Sequence, residues 1–364
     1  MIVKPFDMTR SYELHKDEIE QKAIEVLRSG VYILGNEVKS FEEEFANYTG
    51  AKYCVGLASG LDALWIALKI LNIGIGDEVI VQGNTYIATV MGITMNNATP
   101  IFVEPDEFFG MDVNKIEKCI NIKTKAILVT HLYGMASRMD KIVELCHKYG
   151  LKLIEDCAQS HGAYFDGKMT GTFGDIGCFS FYPTKNLGGF GDSGAIITNN
   201  EEIASKIKIF RNYGSERRYY NKMIGSNSRL DELQAGLLRV KLKYIYELTT
   251  ERENIANYYN TNINNKMIIL PKLTKNASSV WHQFVIQTEK REKLIEHLNI
   301  YGIGTIIHYP IPPHLAEGYR YLGYKKGDFP ITEKLADTIL SLPIYNGMTI
   351  DEMKYVVDAI NNFE

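Results

Sequence analysis

The chain reads as an α/β protein: a mostly parallel sheet in a large domain, followed by a smaller C-terminal α+β domain. Three observations predict this. Short Val/Ile/Leu runs recur through the first two thirds, without the polar alternation of a half-exposed strand. Amphipathic stretches of helical period separate several of them. The length of 364 residues exceeds the size at which one core keeps growing, so two domains are expected.

The expected strands are Tyr53–Leu57, Glu78–Val81, Pro100–Val103, Ala126–Thr130, Lys152–Glu155, Ile176–Phe181 and Gly194–Thr198. Helices are expected at Leu61–Leu71, Tyr86–Asn96, Val113–Ile120 and Lys141–Tyr149. One long helix is expected from Asn227 to about Tyr258, carried by Leu230, Leu233, Leu237, Val240, Ile245 and Leu248, and bridging the domains. Beyond it come a strand at Val280–Ile286, a helix at Lys290–Tyr301, a strand at Thr305–Ile307, and helices at Thr332–Leu340 and Thr349–Asn361. The division is set at residues 1–245 and 246–364. In sheets of this kind ligands bind beyond the carboxyl ends of the strands, so Asp156 and the residues after Leu57 fall where a site is expected.

Composition narrows the function. Hydrophobic residues make up 45% and charged residues 23%, and the formal net charge is −4, as in ordinary soluble proteins. No basic block interleaved with aromatics occurs, so nucleic acid is not an expected partner. Met1-Ile2-Val3-Lys4-Pro5 lacks the apolar core of a signal peptide, and no apolar run is long enough to span a bilayer. Five cysteines and eight histidines are scattered without ligand or disulfide spacing. A cytoplasmic protein with reduced thiols and no metal is expected.

The most informative stretch is Phe179-Ser180-Phe181-Tyr182-Pro183-Thr184-Lys185-Asn186-Leu187-Gly188-Gly189. One lysine follows an apolar strand and precedes a glycine run that permits close approach of a bulky ligand. Upstream, Asp156 ends another apolar strand. A shielded amine and a strand-end carboxylate are what pyridoxal 5'-phosphate asks of a protein: the amine forms the Schiff base, and the acid keeps the pyridine nitrogen protonated. Gln159 is placed to meet the ring's phenolic oxygen, with His161 on the same wall. Ser59-Gly60-Leu61 joins a strand to a helix whose free N–H groups suit a phosphate, and Ser180 adds a hydroxyl. Tyr86 is positioned to lie over the ring. A Gly-x-Gly-x-x-Gly turn after the first strand, as a dinucleotide-dependent oxidoreductase would need, is missing.

Taken in order along the chain, Ser59-Gly60-Leu61-Asp62-Ala63-Leu64, Asn84-Thr85-Tyr86-Ile87-Ala88-Thr89, Glu155-Asp156-Cys157-Ala158-Gln159, Lys185-Asn186-Leu187-Gly188, Asn227-Ser228-Arg229-Leu230-Asp231-Glu232 and His308-Tyr309-Pro310 resemble the DegT/StrS-type sugar-nucleotide aminotransferases. These are pyridoxal phosphate enzymes of the aspartate-aminotransferase fold, called fold type I. The resemblance implies Lys185 as the Schiff-base residue, Asp156 at the pyridine nitrogen, Gln159 at the ring oxygen and Tyr86 stacking. It implies Gly60, Leu61 and Ser180 at the phosphate. It also implies a homodimer in which Asn227 reaches the partner's site. Sugar dehydrases of this kind carry histidine at the lysine position, which Lys185 argues against. Cys157 stands where alanine is usual.

Leu230 after Arg229 resembles the version found in enzymes that aminate C-3 of a dTDP-linked 3-keto-6-deoxyhexose; C-4 enzymes more often carry methionine there. The substrates implied are that keto-sugar nucleotide and L-glutamate, which leaves as 2-oxoglutarate. Tyr182, His308 and Tyr309 would face the sugar, and Arg217 or Arg218 its pyrophosphate. The product would be a deoxyaminosugar for surface glycans such as an O-antigen or S-layer. Rival expectations are a 4-aminotransferase, amination of scyllo-inosose, and an idle cofactor-binding regulator.

Overall fold

The structure is a computed structural model covering residues 1–364. Three helices, α1 (Met8–Glu13), α2 (Lys16–Ser29) and α3 (Asn36–Thr49), precede β1 (Tyr53–Leu57). There follow α4 (Gly60–Ile70), β2 (Glu78–Gln82), α5 (Ile87–Thr94), β3 (Thr99–Val103), α6 (Val113–Ile116), β4 (Thr124–Thr130), α7 (Met139–Tyr149) and β5 (Lys152–Asp156). A two-strand ribbon, β6 (Tyr164–Phe165) and β7 (Lys168–Met169), leads to β8 (Ile176–Ser180), β9 (Gly194–Thr198) and α8 (Glu201–Phe210).

β1 to β5, β8 and β9 form one seven-stranded sheet in the order β1-β9-β8-β5-β4-β2-β3. β8, β5, β4, β2 and β3 run parallel, and β9 runs against both its neighbours. Alternate residues of one strand enter opposite cores. Val79 and Val81 pack beneath α4 and α5, while Ile80 packs towards α7; Leu128 and Ile127 divide in the same way. A sheet buried on both faces explains why its strands read as unbroken apolar runs.

Pairing in this sheet sets up the site. Asp156 at the end of β5 lies opposite Cys178 of β8, two residues before Ser180. Ser180 and Leu57 both pair with Gly194, so the loop leaving β1 lies beside the loop leaving β8.

The hairpin β10 (Ser215–Arg217) and β11 (Tyr220–Asn221) precedes α9 (Glu232–Leu242) and α10 (Ile245–Asn262). The expected single helix from Asn227 is therefore two, and the first begins five residues late. Tyr244 leaves helical geometry at φ −105° and ψ 7°. The bend lets α9 pack on α2 and α3 while α10 packs on α13 (Ile350–Asn361). The expected division at residue 245 coincides with the first residue of α10.

β12 (Phe284–Gln287), α11 (Arg291–Ile300), α12 (Pro330–Thr338) and β13 (Ile339–Leu342) complete the chain with α13. β12 pairs with β13 antiparallel. The expected strand at Thr305–Ile307 is only a single bridge, Ile306 to Ser341, and the expected helix to Leu340 ends at Thr338 because Ile339 turns into β13. Val3 pairs with Ile303, and it shares the C-terminal core with Phe284, Leu298 and Val356.

Candidate active site

A cavity of about 480 Å³ opens at the carboxyl ends of β5 and β8. Gly60, Leu61, Tyr86, Asp156, Gln159, Ser180, Tyr182, Lys185, His308 and Tyr309 all line it. Ten of the fourteen residues expected from sequence therefore meet in one place, and His161 is not among them. Arg217, Arg218 and Asn227 do not line it within one chain. The two arginines lie in the exposed β10–β11 hairpin, where Arg217 stacks on Tyr220 and Arg218 on Tyr219. Asn227 donates to the Tyr213 hydroxyl at 2.9 Å.

Asp156 is buried, and its two oxygens are differently held. Oδ2 accepts from the Thr89 hydroxyl at 2.8 Å, and Oδ1 accepts from the Ala158 amide at 3.1 Å. Burial pushes its pKa up, opposed by the Thr89 and Ala158 bonds and by the Lys185 charge. A carboxylate in that position favours a cationic partner that would share its desolvation. Lys185 shows part of its surface to the cavity, yet the surrounding protein pulls its amine down to about 8 against the attraction of Asp156. No side chain takes a hydrogen bond from that amine, so it is available as a nucleophile.

The opposite wall is a helix N-terminus. Ser59 caps α4 by accepting from the Asp62 amide at 3.1 Å. A Cβ on Gly60 would stand 2.4 Å from the Ser180 Cβ, so only glycine lets α4 reach the Ser180 hydroxyl. Asp62 is tied back through Ser228, whose hydroxyl donates to it at 2.7 Å. The result is backbone donors and a hydroxyl converging at the positive end of a helix, a seat for a dianionic phosphate.

Two aromatic rings stand between these walls. Tyr86 and Tyr309 have ring centroids 5.0 Å apart and tilted by 35°, with Tyr86 half exposed. Gln159 accepts from the Tyr133 amide at 2.6 Å and donates to the Tyr309 hydroxyl at 3.1 Å, which fixes its amide face. His308 Nδ1 bonds the Ser341 hydroxyl at 2.8 Å, and burial lowers its pKa to about 4, so it is neutral. His161 sits behind the cavity against Phe179 and Phe181, held near 3 by burial, and its ring nitrogens lack partners.

Sequence reasoning missed several neighbours. Thr130, Thr184, Asp192, His282 and Gln283 also line the cavity. The Asn186 amide donates to the Val280 carbonyl at 2.7 Å, so its oxygen takes the proton of His282 Nδ1 at 3.1 Å. His282 then presents an unprotonated Nε2. Gln283 keeps a buried Oε1 without a partner. Thr130, His282 and Gln283 read in the sequence as ordinary core positions, whereas Thr184 and Asp192 flank Lys185 and its glycine run, and that nearness was the available signal.

One other cluster, His131, Glu155 and Cys157, has the donor types of a metal site. Its lone pairs are in use. The Ser137 amide donates to His131 Nδ1, so Nε2 carries the proton and gives it to Glu155 at 3.1 Å. The Glu155 oxygens also accept from the amides of Gly171, Phe173 and Gly174. This is a clamp between β5 and the loop before β8.

Residues 13–361 match the DegT/DnrJ/EryC1/StrS aminotransferase family. The chain belongs to that family. A relative in Aneurinibacillus thermoaerophilus, dTDP-3-amino-3,6-dideoxy-alpha-D-galactopyranose transaminase, is 48% identical over 99% of both chains. The solved structure of DesV from S. venezuelae in complex with ketimine intermediate superposes with a TM-score of 0.97, at 41% identity over 99% of this chain and 98% of that one. NtdA from Bacillus subtilis with bound cofactor PMP gives 0.89, at 33% identity over 95% of this chain and 81% of that one. The fold expected from the resemblance is thus the fold found, and the protein is an aminotransferase.

Proposed function

We propose that this aminotransferase moves an amino group from L-glutamate to C-3 of a dTDP-linked 3-keto-6-deoxyhexose, using pyridoxal 5'-phosphate joined to Lys185. The observation that carries the reading is one cavity holding a partly neutral lysine amine, a buried carboxylate and a helix-end phosphate seat. These residues fit the cofactor. Gly60, Leu61 and Ser180 would hold its phosphate, Asp156 its ring nitrogen, and Tyr86 would cover one face. When bound, the cofactor supplies an electron-poor ring that stabilises negative charge at the substrate carbon.

The residues then divide the work. Asp156 keeps a proton on the ring nitrogen, which is favourable because its own burial leaves it short of a cation. With the cofactor bound, the Lys185 Nζ would carry a proton from the donor's α-carbon to the cofactor's aldehyde-derived carbon in the first half-reaction, and from that carbon to the sugar carbon in the second. A pKa of about 8 leaves roughly a tenth of that amine neutral at pH 7, against well under a thousandth for an ordinary lysine. Tyr182, His308 and Tyr309 orient the sugar, and the neutral state of His308 suits it to accept from a hydroxyl.

The C-3 position rests on Leu230 after Arg229 and on relatives named as dTDP-3-amino-sugar transaminases, which include a second one from Streptomyces venezuelae at 41% identity. We infer a homodimer in which Asn227, Arg217 and Arg218 serve the neighbouring copy's site, because all three are on the surface and outside their own cavity. No helix is long and apolar enough to cross a membrane. We assign the reaction to the cytoplasm, where the five free cysteines stay reduced, and its product to surface glycans such as an O-antigen. The test is 2-oxoglutarate release from glutamate with dTDP-3-keto-6-deoxyglucose, its galacto epimer and a 4-keto-sugar nucleotide. Turnover confined to the 4-keto compound would overturn the assignment.

A further inference from the structure

We propose that Thr130, Thr85 and Thr89 form a one-way chain of hydroxyl groups that holds Asp156 as a carboxylate, which makes Thr89 and Thr85 positioning residues of the reaction. This rests on the role given to Asp156 above. Thr89 Oγ1 lies 2.8 Å from Asp156 Oδ2, Thr85 Oγ1 2.7 Å from Thr89 Oγ1, and Thr130 Oγ1 3.0 Å from Thr85 Oγ1. All four residues are buried.

Proton counting sets the direction. A hydroxyl has one proton, and an ionised carboxylate only accepts. Thr89 therefore gives its proton to Asp156, so its oxygen must accept from Thr85. Thr85 has then spent its proton, and accepts from Thr130. Three hydroxyl dipoles point the same way, each polarising the next, at a group whose charge burial disfavours. With the Ala158 amide on Oδ1, the carboxylate is held in place while lone pairs remain for a ring nitrogen.

The groups that face Asp156 do not supply this support by themselves. Lys185 arrives from the loop after β8 and is the residue the cofactor would engage. His131 at the end of β4 is bonded to Glu155 instead. Tyr309 comes from the C-terminal part, its proton held tightly by burial. Glu155, Cys157 and Cys178 lie on the same or the adjoining strand, and offer no donor to Asp156.

Threonine to valine keeps shape and removes only the hydroxyl. In cofactor-loaded Thr89→Val, Asp156 would more readily take the ring proton. A neutral ring withdraws fewer electrons, so the cofactor–lysine link becomes more basic. The pH midpoint of its visible absorbance should therefore rise, and the cofactor dissociation constant should increase roughly 10- to 100-fold, as for loss of a hydrogen bond to a charged group. Thr89→Ser should restore both. Thr85→Val should move both the same way by less, and Thr85→Ser should not. If Thr89→Val does not fold, the Thr85 pair decides by the same titration. Wild-type midpoint and affinity in the folded valine variants, while Asp156→Asn alters both, would overturn the chain alone. Unchanged values in Asp156→Asn would overturn the role of Asp156 itself.

Discussion

Replacing Lys185 with methionine should stabilise the cofactor-free protein, in a manner set by pH. The folded state lowers the amine from 10.5 to about 8, chiefly by burial. Below pH 8 both folded and unfolded chains carry the proton, and the folded chain bears the full penalty of a charge taken from water. At about 1.4 kcal/mol per pKa unit that penalty is about 3 kcal/mol. Between pH 8 and 10.5 the unfolded chain binds the proton and the folded one does not, so wild-type stability rises with pH and the penalty fades. Methionine fills similar volume without a charge. The value of about 8 already includes the attraction to Asp156, so the net gain at pH 7 should be about 3 kcal/mol, vanishing near pH 10.5. Urea unfolding of cofactor-free wild type and Lys185→Met at pH 7 and pH 9.5 measures this. A variant no more stable than wild type at pH 7, or an advantage that grows with pH, would refute the account of the buried amine.

Three further outcomes are expected. Gly60→Ala should weaken cofactor binding at least tenfold and cost about 1–3 kcal/mol of stability, since the new Cβ would lie 2.4 Å from the Ser180 Cβ; a dissociation constant measured by fluorescence quenching checks this. Arg217→Ala with Arg218→Ala should raise KM for the nucleotide sugar with little change in kcat, because both arginines are exposed, lie outside their own cavity and are proposed to meet the substrate's pyrophosphate at the neighbouring copy's site; steady-state kinetics with glutamate saturating separates the two effects. Glu104→Gln should lower stability by about 1–3 kcal/mol in thermal unfolding, because Glu104 accepts from the amides of Ile331 and Thr332 and from the Thr332 hydroxyl, tying α12 to the strand β3.

The sheet was legible because its strands are buried on both faces, so Val79-Ile80-Val81 and Ala126-Ile127-Leu128-Val129 are short, rich in β-branched residues and set between helical stretches. The N-terminal helices were not read. α2 buries only Ile19 and Val26, so its apolar signal is thin, and Leu27 and Val31 are exposed. The helical period across Asn227–Tyr258 survives the bend at Tyr244, which is set by packing partners distant in sequence. Ile339-Leu340-Ser341-Leu342 is short enough to pass as the end of a helix, and only its pairing with Phe284–Gln287 makes it a strand. Lys185 and Asp156 stood out as a pair, since a lysine ahead of a glycine run and a carboxylate ending an apolar strand are together what the cofactor needs. Thr89 and Gln283 were not, since a threonine inside a helix and a glutamine before a strand have no chemical signature until folding brings them to the cavity.

Borohydride reduction of protein incubated with pyridoxal 5'-phosphate, followed by proteolysis and mass mapping, tests the central claim most directly. The account predicts a single phosphopyridoxyl group on Lys185, in the peptide that follows Phe181. A protein that takes up no such group, or carries it on another lysine while Lys185 stays free, would contradict it.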